Sequence, residues 1–339
     1  MFVLGIETSC DETGAGVVKD GKEILSNTVA SSLEFHKRYG GVVPEIATRY
    51  QLEVIDYVVK DSLKSAGVRL KDIGLVAVTQ GPGLVGSLLV GISFAKSLSY
   101  SLSVPIVGVN HLWAHIYSGL IGCGKIKFPL MGLVVSGGHT SLVLCESVGK
   151  FKVLGQTRDD AIGEAFDKVA KILGLGYPGG PAIEKAARGG DPNAIKFTPA
   201  YLGDDSYDFS FSGIKTAVLY YVNGLGRRSP SGARPKIKSV ADIAASFQKA
   251  AVGSVVERSM AACRAKGINH LVVGGGVSAN KLLREELADA GERNRVEIIF
   301  PPMQLSLDNG AMIASMGYLL YGKGKRSDLS LTAEPGLEI

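Results

Sequence analysis

The chain has little charge and few aromatic residues. Only 20% of its 339 residues are charged and 7% aromatic, with a single tryptophan, Trp113, against a hydrophobic share of 46%. That balance excludes a disordered chain and fits a folded α/β protein. Cysteine is scarce as well. Cys10, Cys123, Cys145 and Cys263 are far apart and form no CxxC, so they read as reduced thiols of a cytoplasmic protein. The start, "MFVLGIETSCDETGAGVV", has no basic leader, and no uninterrupted apolar run is long enough to span a bilayer. No Gly-rich loop ends in Gly-Lys-Ser/Thr, which excludes a Walker A nucleotide site. "GPGLVG" has the spacing of a dinucleotide fingerprint, but it follows a late strand and no suitable ribose acid comes after it, so a Rossmann domain is rejected.

Glycine is abundant, at 44 residues, and its placement is patterned. "FVLGIETSCDETGAGVV" reads as strand, polar turn, strand, and "LMGLVVSGGHTSLVL" (130–144) reads the same way. Each is followed later by a strand, a Gly-rich turn and a helix: residues 75–100 in the first half and 270–290 in the second. Continuous apolar runs indicate strands buried on both faces. Two such halves predict duplicated α/β domains around a cleft, with ligands beyond the carboxyl ends of the strands. "SGGHT", "GYPGGP" (176–181) and "GGGVSAN" (274–280) are turns whose backbone N–H groups can approach an anion closely, and together they point to a nucleotide.

Three further groups of residues carry candidate chemistry. "RDDAIGEAFDKVAKILGLGYPGGP" (158–181) predicts an amphipathic helix with Asp160, Glu164 and Asp167 on one face, within reach of Glu184 from the next helix. "TSCDET" places Asp11 and Glu12 in a hairpin turn, where a general base would stand if the turn lines a cleft. "NHLWAHI" puts His111 and His115 four residues apart, on one face of any helix, and "LSLDNGAMIA" offers Asp308 as a third ligand in a turn opening a helix. The spacing alone leaves a metal clamp and a packing face both open. A zinc peptidase is disfavoured, because its general base must directly follow the first histidine and that position is Leu112. The net charge of +5 permits an anionic partner, and the basic segment 224–238, with Arg227, Arg228, Arg234, Lys236 and Lys238, reads as an exposed loop or a phosphate-contacting patch.

In order, "GIETSCDETGAGVV", "HKRYGGVVPEIATR", "GPGLVGSLLVGISFAKSL", "NHLWAHI", "VSGGHTSL", "GEAFDKVAKILGLGYPGGP", "FSFSGIKTA", "GGGVSAN" and "LSLDNGAMIA" resemble the tRNA N6-adenosine threonylcarbamoyltransferase family in its bacterial TsaD form, over roughly residues 2–320. The resemblance implies an actin-like ATPase/sugar-kinase/Hsp70 fold of two RNase H-like lobes around a central cleft. Residues 1–110 would form the first lobe, completed by a C-terminal helix at about 311–330, and residues 111–310 the second. It implies transfer of threonylcarbamoyl from threonylcarbamoyl-AMP to N6 of the adenosine beside the anticodon (position 37) in tRNAs reading codons that begin with A, with release of AMP. The metal ligands would be His111, His115 and Asp308, holding Fe(2+) or Zn(2+). The substrate contacts would be Val134, Val135, Ser136, Gly137, Gly138, Asp167, Gly180, Glu184 and Asn280, a site that ATP, ADP or AMP also fits. Asp11 and Glu12 match acids implicated in activity. The expected partners are tRNA, a TsaB-like paralogue, a TsaE-like ATPase, a TsaC-type synthase that supplies the intermediate, and a second copy in a homodimer, with no membrane. Two departures stand out: Trp113 replaces an acid common between the metal histidines, and Gln51 replaces a common histidine. The rivals are an actin-fold ATPase or small-molecule kinase, and a non-catalytic scaffold.

Overall fold

The computed structural model describes residues 1–123, 127–224 and 238–339. The first part of the chain contains β1 (Phe2–Glu7), β2 (Glu12–Lys19), β3 (Glu23–Ser31), the short α1 (Leu33–His36), α2 (Pro44–Ala66), β4 (Ile73–Gly81), α3 (Val85–Leu102), β5 (Ile106–Asn110) and α4 (His111–Ser118). The second contains β6 (Leu130–Val135), β7 (Thr140–Ser147), β8 (Lys150–Gln156), α5 (Ile162–Ile172), α6 (Gly179–Ala186), α7 (Ser212–Val222), α8 (Val240–Lys266), β9 (His270–Gly274), α9 (Lys281–Asn294), β10 (Glu297–Ile299) and α10 (Gly310–Gly322).

The strands form two sheets of one design. The first has the order β3-β2-β1-β4-β5 and the second β10-β9-β6-β7-β8. In each, an antiparallel meander (β1-β2-β3 or β6-β7-β8) is extended by two parallel strands reached through helical crossovers. The duplication expected from the two hairpins and two strand–Gly–helix steps is therefore present. Alternation along β1 explains its unbroken apolar run: Val3 faces one core, while Leu4 and Ile6 face another.

Three hydrophobic clusters define the layers. α2 and α3 cover one face of the first sheet, and α5 to α9 cover one face of the second. The third cluster joins Val3, Leu75 and Val107 of the first sheet to Leu133's neighbours Val134 and Val143 of the second, through Leu112 and Ile116 of α4 and Met312 and Ile313 of α10. α4 and α10 thus share one core with both sheets. Glycine permits the closeness: a Cβ on Gly5 would lie 2.1 Å from the Gly310 carbonyl oxygen, and one on Gly274 would lie 2.3 Å from the His115 carbonyl oxygen.

One helix needs comment, and one sequence expectation needs correction. α3 is long and apolar enough by composition to cross a membrane. Its Leu88, Ile92 and Ala95 are instead buried in the core it forms with the first sheet and α2, so one face of the helix packs on the fold while Val85, Leu89 and Tyr100 stay exposed. Asp160 is not on the predicted helix, because α5 begins at Ile162. Asp160 is held at 2.6 Å from Lys168 Nζ and 2.7 Å from Lys215 Nζ, and Lys168 also lies 2.9 Å from Glu164, so the two acids are tied into one ion-pair network.

Candidate metal centre and adenylate cradle

α4 starts abruptly at the end of β5. Asn110 is its N-cap, with Oδ1 accepting from the Leu112 and Trp113 amides at 2.9 and 3.2 Å. Asn110 Nδ2 in turn donates to the Glu338 carbonyl at 3.0 Å, so the C-terminal segment holds the cap from behind. The first helical residue is His111, and His115 follows one turn later with its ring centroid 4.5 Å away. Asp308 arrives from the turn before α10, which Asn309 caps by accepting from Met312 N at 2.9 Å. His115 Nε2 lies 2.9 Å and His111 Nε2 3.5 Å from Asp308 Oδ1.

One ligand atom from each of the three side chains falls within 4.8 Å of the others. Donors bound to a single ion at about 2.0–2.1 Å lie roughly 3–3.5 Å apart, so a modest adjustment accommodates a divalent metal. Two imidazoles and one carboxylate suit Fe(2+) or Zn(2+) and leave positions open for substrate. The residues fit the ion that the sequence motif implies.

The electrostatics match that use. Burial pushes the His111 imidazole down, but the Glu7 and Asp308 carboxylates raise it more, to about 9. Burial also opposes ionisation of Asp308, yet the neighbouring His111 and His115 hold its carboxyl well below the usual range. In the metal-free protein the raised His111 value contributes stability that is fully present below its ordinary 6.5 and is lost as pH rises through about 9. Denaturant titrations of metal-free protein are expected to show lower stability near pH 10 than near pH 7, and His111→Gln should flatten that loss.

Asp11 and Glu12 stand beside this cluster. Their loop is fixed by Gln51, whose Nε2 donates to the Cys10 and Glu12 carbonyls, both at 2.9 Å, and by Ser32 Oγ, which donates to the Asp11 carbonyl at 2.8 Å. Gln51 is therefore a clamp on the acidic loop. Burial holds the Glu12 carboxyl well above its ordinary value, and the nearby charges of Asp308 and Asp11 push the same way. Trp113 turns away from the cluster and stacks on Phe151 at 4.5 Å, which places it in packing between α4 and β8.

The cradle is built on the second sheet. Val134 and Val135 are fully buried in β6, so their side chains serve the core, and Ser136, Gly137 and Gly138 emerge beyond the strand. Ser136 folds this turn back, its N–H donating to the His139 carbonyl at 2.8 Å while its Oγ accepts from His139 N at 3.0 Å. Gly137, Gly138 and Gly180 face open space. Asp167 Oδ1 accepts from Gly179 N, the first amide of α6, at 2.6 Å. Burial raises the Asp167 carboxyl, and the charge of Asp11 contributes in the same direction, which brings the acidic loop and the cradle within electrostatic reach. Further along α6, Glu184 Oε2 accepts from Asn280 Nδ2 at 3.2 Å, while Asn280 caps α9 through Leu283 N at 3.0 Å.

Sequence reasoning missed two members of this neighbourhood. His139 was read only as part of a Gly turn. Burial pulls its imidazole down to about 4, and the charges of His111 and His115 act with it, so it stands neutral beside the metal ligands. Glu7 was missed as well, although a carboxylate ending the apolar run "FVLGIE" is a signal, since buried charge demands a partner. Of the basic segment, Arg227, Arg228, Arg234 and Lys236 lie outside the described residues; Lys238 is described and exposed.

Two β-meander sheets of identical order, sharing helices and presenting glycine turns at their strand ends, define an actin-like ATPase/sugar-kinase fold. Solved structures agree. Full-length HypF in its phosphate- and nucleotide-bound form aligns with a TM-score of 0.63 at 15% identity, over 95% of this chain and 55% of that one. Component A of the (R)-2-hydroxyglutaryl-CoA dehydratase of Acidaminococcus fermentans aligns at 0.55 and 16% identity, over 96% and 100%. The sequence goes further. The profile of TsaD, tRNA N6-adenosine threonylcarbamoyltransferase, matches residues 23–315. The enzyme of that name from Symbiobacterium thermophilum is 52% identical over 336 residues, covering 99% of this chain and 96% of the relative. The one from Geobacillus thermodenitrificans is 50% identical over 340 residues, covering 100% and 97%. The chain belongs to the tRNA N6-adenosine threonylcarbamoyltransferase family.

Proposed function

We propose that the chain transfers threonylcarbamoyl from threonylcarbamoyl-AMP to N6 of adenosine 37 in tRNAs reading codons that begin with A, releasing AMP, at the junction of the metal cluster and the glycine turns. The observation that carries this reading is the convergence of His111, His115 and Asp308 on one point, with the acidic loop of Asp11 and Glu12 within electrostatic reach of both Asp308 and Asp167. An exocyclic adenine amine is a weak nucleophile, so the protein must align it, stabilise developing charge and remove a proton. A divalent ion, Fe(2+) or Zn(2+), held by His111, His115 and Asp308 would supply Lewis-acid polarisation of the carbamoyl carbonyl.

The chain's own residues do the rest. Backbone N–H groups at Gly137 and Gly138 receive the phosphate, on the turn that Ser136 folds back by its own hydrogen bonds to His139 and whose glycines leave room for close approach. Val134 and Val135 support that turn from the core. Asp167, Gly180, Glu184 and Asn280 hold ribose and base, and ATP, ADP or AMP fits the same subsite. Asp11 accepts the proton from the N6 amine. Burial and its acidic neighbours hold the Glu12 carboxyl well above its ordinary value, and Glu12 stands with Asp11 as the second acid of the loop.

The division into lobes belongs to the same reading: residues 1–110 with a C-terminal helix at about 311–330, and residues 111–310. So do the working context in the cytoplasm, a TsaB-like paralogue and a TsaE-like ATPase as partners, a TsaC-type synthase as source of the intermediate, and homodimer formation. The experiment is reconstitution with tRNA and threonylcarbamoyl-AMP, with and without these partners, assaying modified adenosine and AMP. Asp11→Asn should slow single-turnover transfer by about 10²–10⁴-fold at saturating intermediate. An unchanged rate would remove Asp11 from the chemistry.

A further inference from the structure

From the contacts of Glu7 we infer that this residue positions the metal centre, fixing which nitrogen of His111 faces the ion. The inference rests on the metal reading of His111, His115 and Asp308. Glu7 ends β1 and is fully buried. Its carboxylate is held by three groups: Ser9 N–H donates to Oε1 at 2.5 Å, Thr79 Oγ1 donates to Oε2 at 2.7 Å, and His111 Nδ1 lies 2.8 Å from Oε2. A carboxylate only accepts, so the proton on that edge of the ring belongs to Nδ1, and Nε2, 3.5 Å from Asp308 Oδ1, is the nitrogen that would offer its lone pair to an ion. Ser9 Oγ, 3.3 Å from the same Nδ1, closes that edge further. Such a partner sets the tautomer and plane of a ligating histidine and raises its basicity.

The two histidines are not supported alike. His115 Nδ1 is buried with no hydrogen-bond partner. Among the described residues the orienting carboxylate therefore reaches the cluster through His111 alone. Its anchor is also local to the first sheet: Ser9 and Thr79 lie at the ends of β1 and β4, which pair directly. Glu7 touches neither the glycine turns nor the Asp167 pair in any contact described, so its role is positioning.

The test is Co(2+) binding to metal-free protein, read by competition with a chromophoric chelator and by the visible absorption of the bound ion. Glu7→Gln keeps the side-chain volume but offers an N–H that can donate to Nδ1 and so invert the tautomer. It should weaken Co(2+) binding by about 10–100-fold and change the shape of the visible bands. Thr79→Val, which keeps the carboxylate and removes one restraint, should lose roughly fivefold, the equivalent of one hydrogen bond. Should Glu7→Gln fail to fold, Thr79→Val decides: a loss supports the assignment and unchanged affinity overturns it. Wild-type affinity and spectrum in a folded Glu7→Gln protein overturn the assignment alone. Absence of Co(2+) binding by the wild type, or binding unaffected by Asp308→Ala, overturns the metal centre and this assignment with it.

Discussion

Asp308→Ala is expected to leave the purified protein without its metal ion and without transfer activity. Asp308 is the only anionic donor of the cluster, and both histidine Nε2 atoms converge on it, at 2.9 and 3.5 Å. Removing it leaves two neutral donors, too few for a closed or a catalytic site. The loss of affinity should exceed the roughly 10–100-fold that removal of an outer partner costs. Elemental analysis against protein concentration checks the stoichiometry, and the reconstituted assay checks turnover. Asp308→Asn makes the sharper comparison, since it keeps the shape and removes the charge. If either variant retained a full complement of metal, His111, His115 and Asp308 would not be its ligands.

Gly310→Ala should be strongly destabilising for so small a substitution. A Cβ at residue 310 would lie 2.2 Å from Gly16 N and 2.3 Å from the Ala15 carbonyl carbon, so it meets backbone on a central sheet rather than a movable side chain. Gly5→Ala attacks the same contact from the strand side, with 2.1 Å to Gly310 O and 2.4 Å to Ala314 N. Overpacking costs about 1–3 kcal/mol where neighbours can shift, and here the cost should reach about 3 kcal/mol or more. Equilibrium urea unfolding of each variant measures it, and a second readout follows. Asp308 immediately precedes α10, so displacing that helix should weaken metal binding even in the fraction that folds. A loss under about 0.5 kcal/mol, typical of surface changes, would mean that α10 does not press on β1 and β2 as described.

The duplication was legible in the sequence because local signals carry it. Each half repeats a hairpin and a strand–Gly–helix step, and apolar continuity marks the strands as buried on both faces. The histidine pair was legible for the same reason, since four-residue spacing on one helix is a local fact. The helical position of Asp160 was misjudged because spacing along the chain ignores competing charges: Lys168 and Lys215 capture it before the helix begins. Glu7 and His139 escaped notice because their meaning depends on residues more than twenty positions away. Glu7 gains a role only when β1, β4 and α4 are assembled, which brings Thr79 and His111 to it. Trp113 could be flagged as unusual, but its direction was set by Phe151 on a strand that sequence spacing cannot place.

The glycine contacts have a thermodynamic consequence. α10 meets the first sheet at Gly5 and Gly16, and α4 meets the second at Gly274, backbone against backbone. Because one ligand cluster is assembled from these two helices, occupancy there is linked to the integrity of both sheets at once. Whatever binds the cluster stabilises the folded molecule by RT ln(1 + [L]/Kd), a gain that both sheets share. The metal-loaded protein should then unfold at a higher denaturant midpoint than the metal-free protein.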